Sequence, residues 1–470
     1  MSEENANFMM KNSFVTRPNA GNGLWVFLLL PISLIVSSLK HPIILTPTYK
    51  VTTTLLPSLI CNSAYIIMQC YKNKKISSLN VWSLGSAISS GGLIYFWLHK
   101  RWLLSILSSI FTSFAFLTIF KFLLTKMKES FTLGEAGLIS QSISVFLHSS
   151  LYNIYESCNI SSLRSNMQIS TLIIQIGLLG LTILSYICYK FDIRSAKTFY
   201  STTFFIVTVT IILPLHVFLE KSPLYWIFNQ IIEDVTLLKL FIYWSACCAI
   251  AILAVNNQIY YAQKASTSTR KIFHILAVLV FVPGLYLRCC FLYMASGIVL
   301  GVFFALEILR LLNIPPLGDA LQDGYELFRD EKDSGFLALT PIYLLCGVSL
   351  PIWLHPSPCD VTDSAQFVMV PLLSGLSVIG IGDTMASYVG SKIGKHKWRN
   401  SLKTIEGTLA CVFSQLAFFY FLFYLGLFPY LTFHYVIRIV ISVVVGSLVE
   451  AKTTQIDNLV LPLIMYILLI

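Results

Sequence analysis

The sequence predicts an all-α, polytopic membrane protein whose helices cross a bilayer roughly 13 to 15 times. Of its 470 residues, 56% are hydrophobic and 11% are charged, whereas a soluble domain carries about 25% charged residues. The hydrophobic residues fall into runs that approach or reach the ~20 residues that a helix needs to span a bilayer. These runs lie at residues 23–39, 51–69, 78–98, 102–125, 136–151, 168–189, 200–218, 239–256, 272–289, 291–312, 336–354, 367–381, 408–428, 432–449 and 457–470.

Composition divides the chain into three regions. Residues 1–22 form a polar tail that we expect to be disordered. Residues 23–265 alternate apolar runs with short loops, and the isolated acids Glu135 and Glu156 are expected to be solvated there. We therefore expect this transmembrane region to be a scaffold or a lipid platform. Organised charge begins at the polar linker 263–270, so residues 266–470 are expected to carry the function.

The net charge of +10 is spread over short loops between the apolar runs. Cations placed in this way orient a membrane protein and contact anionic lipid headgroups. We therefore expect contacts with membrane lipid and no nucleic-acid partner.

The eleven cysteines lie mostly inside apolar runs, and no C-x-x-C spacing occurs. Cysteine in such runs usually acts as a small apolar residue. We therefore expect buried free thiols rather than a zinc site or a disulfide framework.

The most polar stretch is residues 380–408, where one acid, several glycines and hydroxyl residues accompany a dense set of cations. The cations are Lys392, Lys395, Lys397, Arg399 and Lys403. Backbone N–H groups, hydroxyls and lysines together suit phosphate oxygens. Asp383 would repel a phosphate unless a divalent cation lay between them, so its presence indicates a metal. The alternative, a basic loop that only fixes topology, leaves Asp383 and Glu406 unexplained.

Three further polar segments border apolar runs. Asp330, Glu331 and Asp333 could hold Mg²⁺ or supply a general base, or they could stabilise a helix N-terminus. The second segment, at the start of the last apolar run, contains Gln455, Asp457 and Asn458. One of these residues could cap the helix, but several polar groups together at this position are costly unless each has a hydrogen-bond partner. The cluster Arg270, Lys271 and His274 opens a run, either as interfacial anchors or as phosphate contacts.

Taken in order, these motifs resemble the CTP-dependent dolichol kinase family, also called polyprenol kinases. The matching residues are Arg270-Lys271-x-Phe273-His274, Asp330-Glu331-Lys332-Asp333-x-Gly335, Gly382-Asp383-Thr384-x-Ala386-Ser387, Lys403-Thr404-x-Glu406-Gly407-Thr408 and Thr454-Gln455-Ile456-Asp457-Asn458-Leu459. The Gly382-Asp383 and Lys403–Gly407 motifs alone are similar to a wider set of CTP-using membrane enzymes. That set includes phytol kinase, CTP-dependent diacylglycerol kinase and phosphatidate cytidylyltransferase.

The resemblance implies an endoplasmic-reticulum enzyme that transfers the γ-phosphate of CTP to dolichol on the cytosolic side. The residues expected to bind CTP are Ser387, Gly390, Ser391, Lys392, Gly394, Lys395, Lys397, Arg399, Lys403, Thr404, Glu406, Gly407 and Thr408. Leu402 stands where the family often has a second lysine. Arg270, Lys271, His274, Gln455 and Asn458 are expected to support the site.

Phosphoryl transfer needs positioning and charge neutralisation more than covalent chemistry. We expect Asp383, with Glu406 as a second ligand, to hold a divalent cation, Mg²⁺ or Ca²⁺. The acid cluster Asp330, Glu331 and Asp333 is the first candidate for the base, and Asp457 is the second.

Three alternative functions remain: phosphorylation of a different lipid acceptor, cytidylyl transfer, and transport. The ionisable residues are grouped at interfacial segments of one half of the chain, and this grouping disfavours a transporter.

Overall fold

The computed structural model describes residues 3–77, 80–159, 165–261, 267–329, 335–399, 401–428 and 432–470, and these are mostly helical. Within these ranges the β-structure is one isolated bridge between Lys397 and Thr404. The α-helices are α1 (Glu3–Asn12), α2 (Leu29–Lys40), α3 (Pro47–Tyr71), α4 (Val81–Leu98), α5 (Trp102–Lys126), α6 (Leu133–Asn159), α7 (Asn166–Phe191), α8 (Ala196–Val207), α9 (Leu213–Leu219), α10 (Pro223–Glu233), α11 (Val235–Tyr260), α12 (Thr267–Leu287), α13 (Cys289–Leu311), α14 (Leu317–Phe328), α15 (Thr340–Leu354), α16 (Met369–Leu372), α17 (Thr384–Lys392), α18 (Ile405–Tyr424), α19 (Phe433–Lys452) and α20 (Asp457–Leu469).

Four short helical segments have other geometries. Leu24–Leu28 and Gln366–Val368 are 3₁₀-helical, whereas Thr208–Ile212 and Leu376–Asp383 are π-helical. π-Helical turns are rare and occur frequently at functional sites. The second π segment ends at Asp383, the acid that the sequence singles out.

The prediction of an all-α polytopic membrane protein is confirmed. Among the described residues, ten helices are long and apolar enough to cross a membrane, namely α3, α4, α5, α7, α8 with α9, α11, α12, α13, α18 and α19. Residues 366–372 and 376–392 form an eleventh candidate that is bent by 54°. Three shorter apolar helices are Leu24–Lys40, Thr340–Leu354 and Asp457–Leu469. The predicted 13 to 15 crossings are reached only if these shorter segments also cross.

The C-terminal helix α20 packs against both halves of the chain. Its Leu459, Val460 and Tyr466 belong to a buried cluster with α2, α3 and α5, and its Leu461 and Met465 to a second cluster with the later helices. Tyr466 is fully buried, and its hydroxyl lies 3.0 Å from Ser37 Oγ. The polar segment that precedes α20 therefore lies where the two halves meet.

The expected disorder of residues 1–22 is wrong. Residues Glu3–Asn12 form α1, and the side chains of Phe8 and Phe14 are buried. Glu135, expected to be solvated, is completely buried and forms an ion pair with Arg17. Two charges that lie 118 residues apart compensate each other, and local sequence cannot reveal such a pair. The linker predicted at 263–270 falls partly on residues 262–266, which lie outside the described ranges.

A disulfide joins Cys289 to Cys359. The expectation of buried free thiols is therefore wrong for this pair, whose 70-residue separation gave no sequence signal. The other nine cysteines are free, as expected, but Cys61, Cys158 and Cys248 are exposed rather than buried. The disulfide lies beyond the C-terminal end of α12, whereas Lys271 lies near the N-terminal end. Sixteen residues of α-helix span about 24 Å. The disulfide and Lys271 therefore lie at opposite ends of α12.

Candidate active site

Asp383 is held where the π-helical segment Leu376–Asp383 joins α17. The segment passes close to α18: a Cβ atom on Gly382 would lie 2.7 Å from Gln415 Nε2 and 2.9 Å from Cys411 Sγ. Only glycine permits this approach at residue 382. The contact fixes the backbone next to Asp383 and brings its carboxylate to the end of the helices.

The Lys271 ammonium and the His274 imidazole, both on α12, face this carboxylate. Lys271 Nζ donates a hydrogen bond to Asp383 Oδ2, and His274 Nε2 lies 3.5 Å from the same oxygen. Ser387 Oγ donates a long hydrogen bond of 3.4 Å to Oδ1. The Asp383 side chain is only 13% exposed, so its charge requires a nearby partner. The structure thus brings two residues of the Arg270–His274 motif, Lys271 and His274, to the carboxylate of the Gly382–Ser387 motif.

Lys403 has an anionic environment of its own. Its Nζ donates to the carbonyl oxygen of Glu450 at 2.6 Å, and lies 3.5 Å from Asp457 Oδ2 and 3.8 Å from Glu450 Oε1. Burial alone would lower the pKa of Lys403, but the carboxylates of Asp457, Glu450 and Asp383 outweigh it and raise the pKa. Lys403 therefore stays an ammonium ion at neutral pH, paired with Asp457 and close enough to Asp383 for their charges to interact.

Glu450 is a site residue that the sequence analysis missed. It is 5% exposed, and Cys411 Sγ donates to its Oε2 at 3.1 Å. The available signal was an acid at the end of an apolar run, which is costly in a membrane and usually functional.

The segment between α17 and α18 folds back as a short hairpin. Trp398 N donates to Lys403 O at 3.0 Å, and Ile405 N donates to His396 O at 2.8 Å. Most of the predicted phosphate-binding cations are exposed around this hairpin, namely Lys392, Lys395, Lys397 and Arg399. Lys403 instead points inward to Glu450. The hairpin therefore presents one half-buried cation, Lys403, and several solvent-facing cations at the same end of the molecule.

The remaining predicted CTP contacts mainly shape this hairpin. Thr404 caps α18 by accepting a hydrogen bond from Gly407 N at 3.2 Å, and Thr408 Oγ1 accepts from Trp398 Nε1 at 2.9 Å. Ser391 is exposed, Gly390 and Gly394 are half-buried, and Gly407 is buried. Glu406 accepts from the backbone N of His396 at 3.2 Å and lies 2.6 Å from its ring Nδ1. Its predicted role as a second metal ligand would require this contact to open.

The supporting residues have different positions. Gln455 is 2% exposed and its side chain contacts Thr132 and Gly21 of the N-terminal half. The Asn458 carbonyl packs against Gly347, and the Arg270 carbonyl lies 3.3 Å from His274 Nδ1.

The acid cluster Asp330, Glu331 and Asp333 lies outside the described residues. The residues that follow it are held by α13 and α14. Arg310 donates to Phe336 O at 2.5 Å and pairs with Glu307, and Tyr325 OH donates to Gly335 O at 3.3 Å. The role of the acid cluster as the base therefore stays a prediction.

Comparison with known proteins adds independent information. A sequence profile of the family described as dolichol kinase matches residues 86–398. The chain is 33% identical to dolichol kinase of Mus musculus over 399 residues, covering 82% of this chain and 73% of that protein. It is 33% identical to dolichol kinase of Homo sapiens over 397 residues, covering 81% and 73%. Dolichol kinase EVAN of Arabidopsis thaliana is 34% identical over 253 residues, covering 53% and 43%. No solved structure matches the chain.

Proposed function

The chain belongs to the dolichol kinase family and is a membrane-embedded kinase that phosphorylates dolichol; from this premise we propose that its phosphate donor is CTP and that it acts at the cytosolic face of the endoplasmic reticulum. The observation that carries the proposal is the position of the Lys403 ammonium, which lies next to the Glu450 and Asp457 carboxylates and beside a hairpin of exposed cations. Such a site suits a polyanionic donor that approaches from water and an acceptor that stays in the bilayer.

The donor would bind over the hairpin. Phosphoryl transfer depends on positioning the triphosphate and neutralising charge in its transition state. The exposed Lys392, Lys395, Lys397 and Arg399 would attract the triphosphate, while Lys403 would contact the oxygens nearest the bond that breaks. Because the raised pKa of Lys403 keeps it charged at neutral pH, no proton has to move for this contact.

The residues around Asp383 fit a divalent cation, Mg²⁺ or Ca²⁺. Asp383 Oδ1 accepts only the long bond from Ser387, and the neighbouring Thr384 Oγ1 is buried without a hydrogen-bond partner in the described part of the chain. Mg²⁺ in nucleotide enzymes is typically bound through one or two carboxylates together with phosphate oxygens. Asp383 would hold the cation, which when bound neutralises charge on the phosphate oxygens.

The acceptor hydroxyl must reach the same place from the bilayer. Asp457 is the first residue of α20, its side chain is 14% exposed, and it lies beside Lys403. Its Oδ2 could accept the hydroxyl proton as transfer proceeds. Asp330, Glu331 and Asp333 remain the first candidates for this base, and Asp457 remains the second.

The disulfide supports the cytosolic orientation of the site. Disulfides persist in oxidising compartments such as the lumen of the endoplasmic reticulum and are rare in the cytosol. Cys289–Cys359 lies at the end of α12 opposite Lys271 and Asp383. If the disulfide faces the lumen, the site faces the cytosol.

This orientation gives a labelling prediction. In a variant that lacks the exposed Cys61, Cys158 and Cys248, Ser391→Cys is expected to react with a membrane-impermeant maleimide in sealed microsomes. Val361→Cys, at a fully exposed position in the loop beside the disulfide, is expected to react only after the membrane is permeabilised. The reverse pattern would place the site in the lumen and exclude a cytosolic donor.

A substrate panel tests the proposed function. We expect purified protein to use CTP much better than ATP, GTP or UTP, and to phosphorylate dolichol much better than diacylglycerol or phytol. A preference for ATP would refute the donor assignment. A preference for diacylglycerol would refute the acceptor.

A further inference from the structure

The first turn of α6, in the N-terminal half, contacts residues 454–456, which immediately precede Asp457. Thr132 and Glu135 form a capping box at this turn, with Thr132 N donating to Glu135 Oε2 at 2.9 Å and Glu135 N donating to Thr132 Oγ1 at 3.3 Å. The box engages one carboxylate oxygen of Glu135. The other oxygen, Oε1, is available for contacts outside α6.

Those outside contacts go to the segment that precedes Asp457. Glu135 Oε1 accepts hydrogen bonds from Ile456 N at 2.8 Å and from Arg17 Nη2 at 2.6 Å. Arg17 Nη2 also donates to the carbonyl oxygen of Thr454 at 3.2 Å. The Arg17 and Glu135 side chains are 4% and 0% exposed. This buried ion pair therefore holds the backbone on both sides of Gln455.

The same segment is held by its own side chains. Thr132 Oγ1 donates to Gln455 Oε1 at 2.6 Å, and Gln455 Nε2 donates to Gly21 O at 2.9 Å. Gly21 N donates to Thr454 Oγ1 at 3.1 Å. Residues 454–456 are thus enclosed by residues 17–21 and by the start of α6.

The turn before α6 also touches the flank of the acid cluster. A Cβ atom on Gly335 would lie 2.0 Å from Ser130 Oγ, and Gly335 follows Asp333 by two residues. Residues 130–135 therefore contact both the segment that precedes Asp457 and Gly335, the first described residue after the acid cluster.

We propose that Arg17, Thr132 and Glu135, here called the clamp, are positioning residues for the kinase reaction. The clamp fixes the backbone of residues 454–456, and through it the distance between Asp457 and Lys403. The N-terminal half then contributes to turnover without contacting CTP. This inference rests on the proposed function, because it assigns the clamp to the same site.

The first test is Glu135→Gln, which preserves the side-chain volume, removes the charge that pairs with Arg17, and leaves a single acceptor oxygen for the donors that Glu135 now serves. Misplacing a catalytic group by about 1 Å can lower the rate about 100-fold. We expect kcat per folded molecule to fall roughly 10- to 100-fold, with the KM for CTP changing less than about 3-fold, because the hairpin cations stay in place.

The matched control is Glu156→Gln on the same helix. Glu156 pairs with Lys100 at 3.0 Å and lies 21 residues beyond Glu135, or about 30 Å along α6. We expect wild-type kcat from this variant. A Glu135→Gln protein with wild-type kcat per folded molecule, or an equal loss in both variants, would overturn the positioning role.

A tether separates positioning from general stability. A Cβ atom on Gly21 would lie 3.6 Å from Thr454 Oγ1, close enough for a disulfide between Gly21→Cys and Thr454→Cys. In the Glu135→Gln protein, oxidation of this pair is expected to restore at least about one third of the lost activity, and selective reduction to remove it again. Complete tethering without recovery would overturn the inference.

Hydrogen exchange provides a readout that needs no kinase activity. Peptides covering residues 453–458 are expected to exchange at least 10-fold faster in Glu135→Gln than in the wild type, and unchanged in Glu156→Gln. Equal exchange in all three proteins would refute the clamp. If the wild-type protein fails to phosphorylate dolichol while exchange behaves as expected, the proposed function fails and the clamp on residues 454–456 stands.

Discussion

Asp383→Asn is expected to lower kcat for dolichol phosphorylation by about 10³-fold or more, with the protein still inserted and folded. Asparagine has nearly the same shape and can still accept a hydrogen bond from Lys271. It lacks the charge needed to hold a divalent cation against the triphosphate. The loss should therefore appear in turnover rather than in the amount of folded protein.

The control for this variant is Asp363→Asn at the opposite end of the helices. Asp363 Oδ1 accepts a hydrogen bond from Cys290 N at 2.7 Å beside the disulfide. We expect this variant to retain turnover within about twofold, since Asp363 lies at the opposite end of the helices from the proposed nucleotide site. Wild-type turnover from a folded Asp383→Asn protein would remove Asp383 from the site.

Lys403→Met is expected to raise the KM for CTP roughly 10- to 100-fold, and the KM for dolichol much less. A hydrogen bond to a charged group contributes about 1.5–3 kcal/mol, which corresponds to this range. The substitution also removes the cation that faces Glu450 and Asp457. We therefore expect a lower midpoint of thermal unfolding as well.

A second substitution separates these two effects. Lys403→Met combined with Glu450→Gln removes the uncompensated carboxylate and is expected to recover part of the thermal stability. It should not recover CTP binding, because the phosphate contact is still absent. Lys452→Met, which removes an exposed cation near the same end of α19, should leave the CTP KM within about twofold. Equal KM increases for CTP and dolichol in Lys403→Met would indicate misfolding instead.

The sequence predicted those site residues that belong to short, contiguous polar motifs. Asp383, Lys403 and Asp457 stand at the ends of apolar runs, and interfacial polar groups in an oily chain are costly unless they have a function. These three residues come together because the helices between them return the chain to the same side of the membrane. The ion pair of Lys271 with Asp383 joins residues 112 positions apart and was not predicted.

The parts that were missed depend on long-range packing. Glu450 becomes a site residue only because α18 and α19 bring Cys411 and Lys403 to it. The Arg17–Glu135 pair joins residues 118 positions apart, although the T-x-x-E spacing of its capping box was visible. Gln455 was expected to support the nucleotide site, and its side chain contacts the N-terminal half instead.

The most direct test of the central claim follows two differently labelled nucleotides with purified protein and dolichol. With γ-³²P-labelled CTP, the lipid product is expected to carry label; with α-³²P-labelled CTP it is expected to carry none. Asp383→Asn should abolish the labelled lipid. Label transferred from the α-position would mean cytidylyl transfer, and no labelled lipid from either nucleotide would contradict a CTP-dependent kinase.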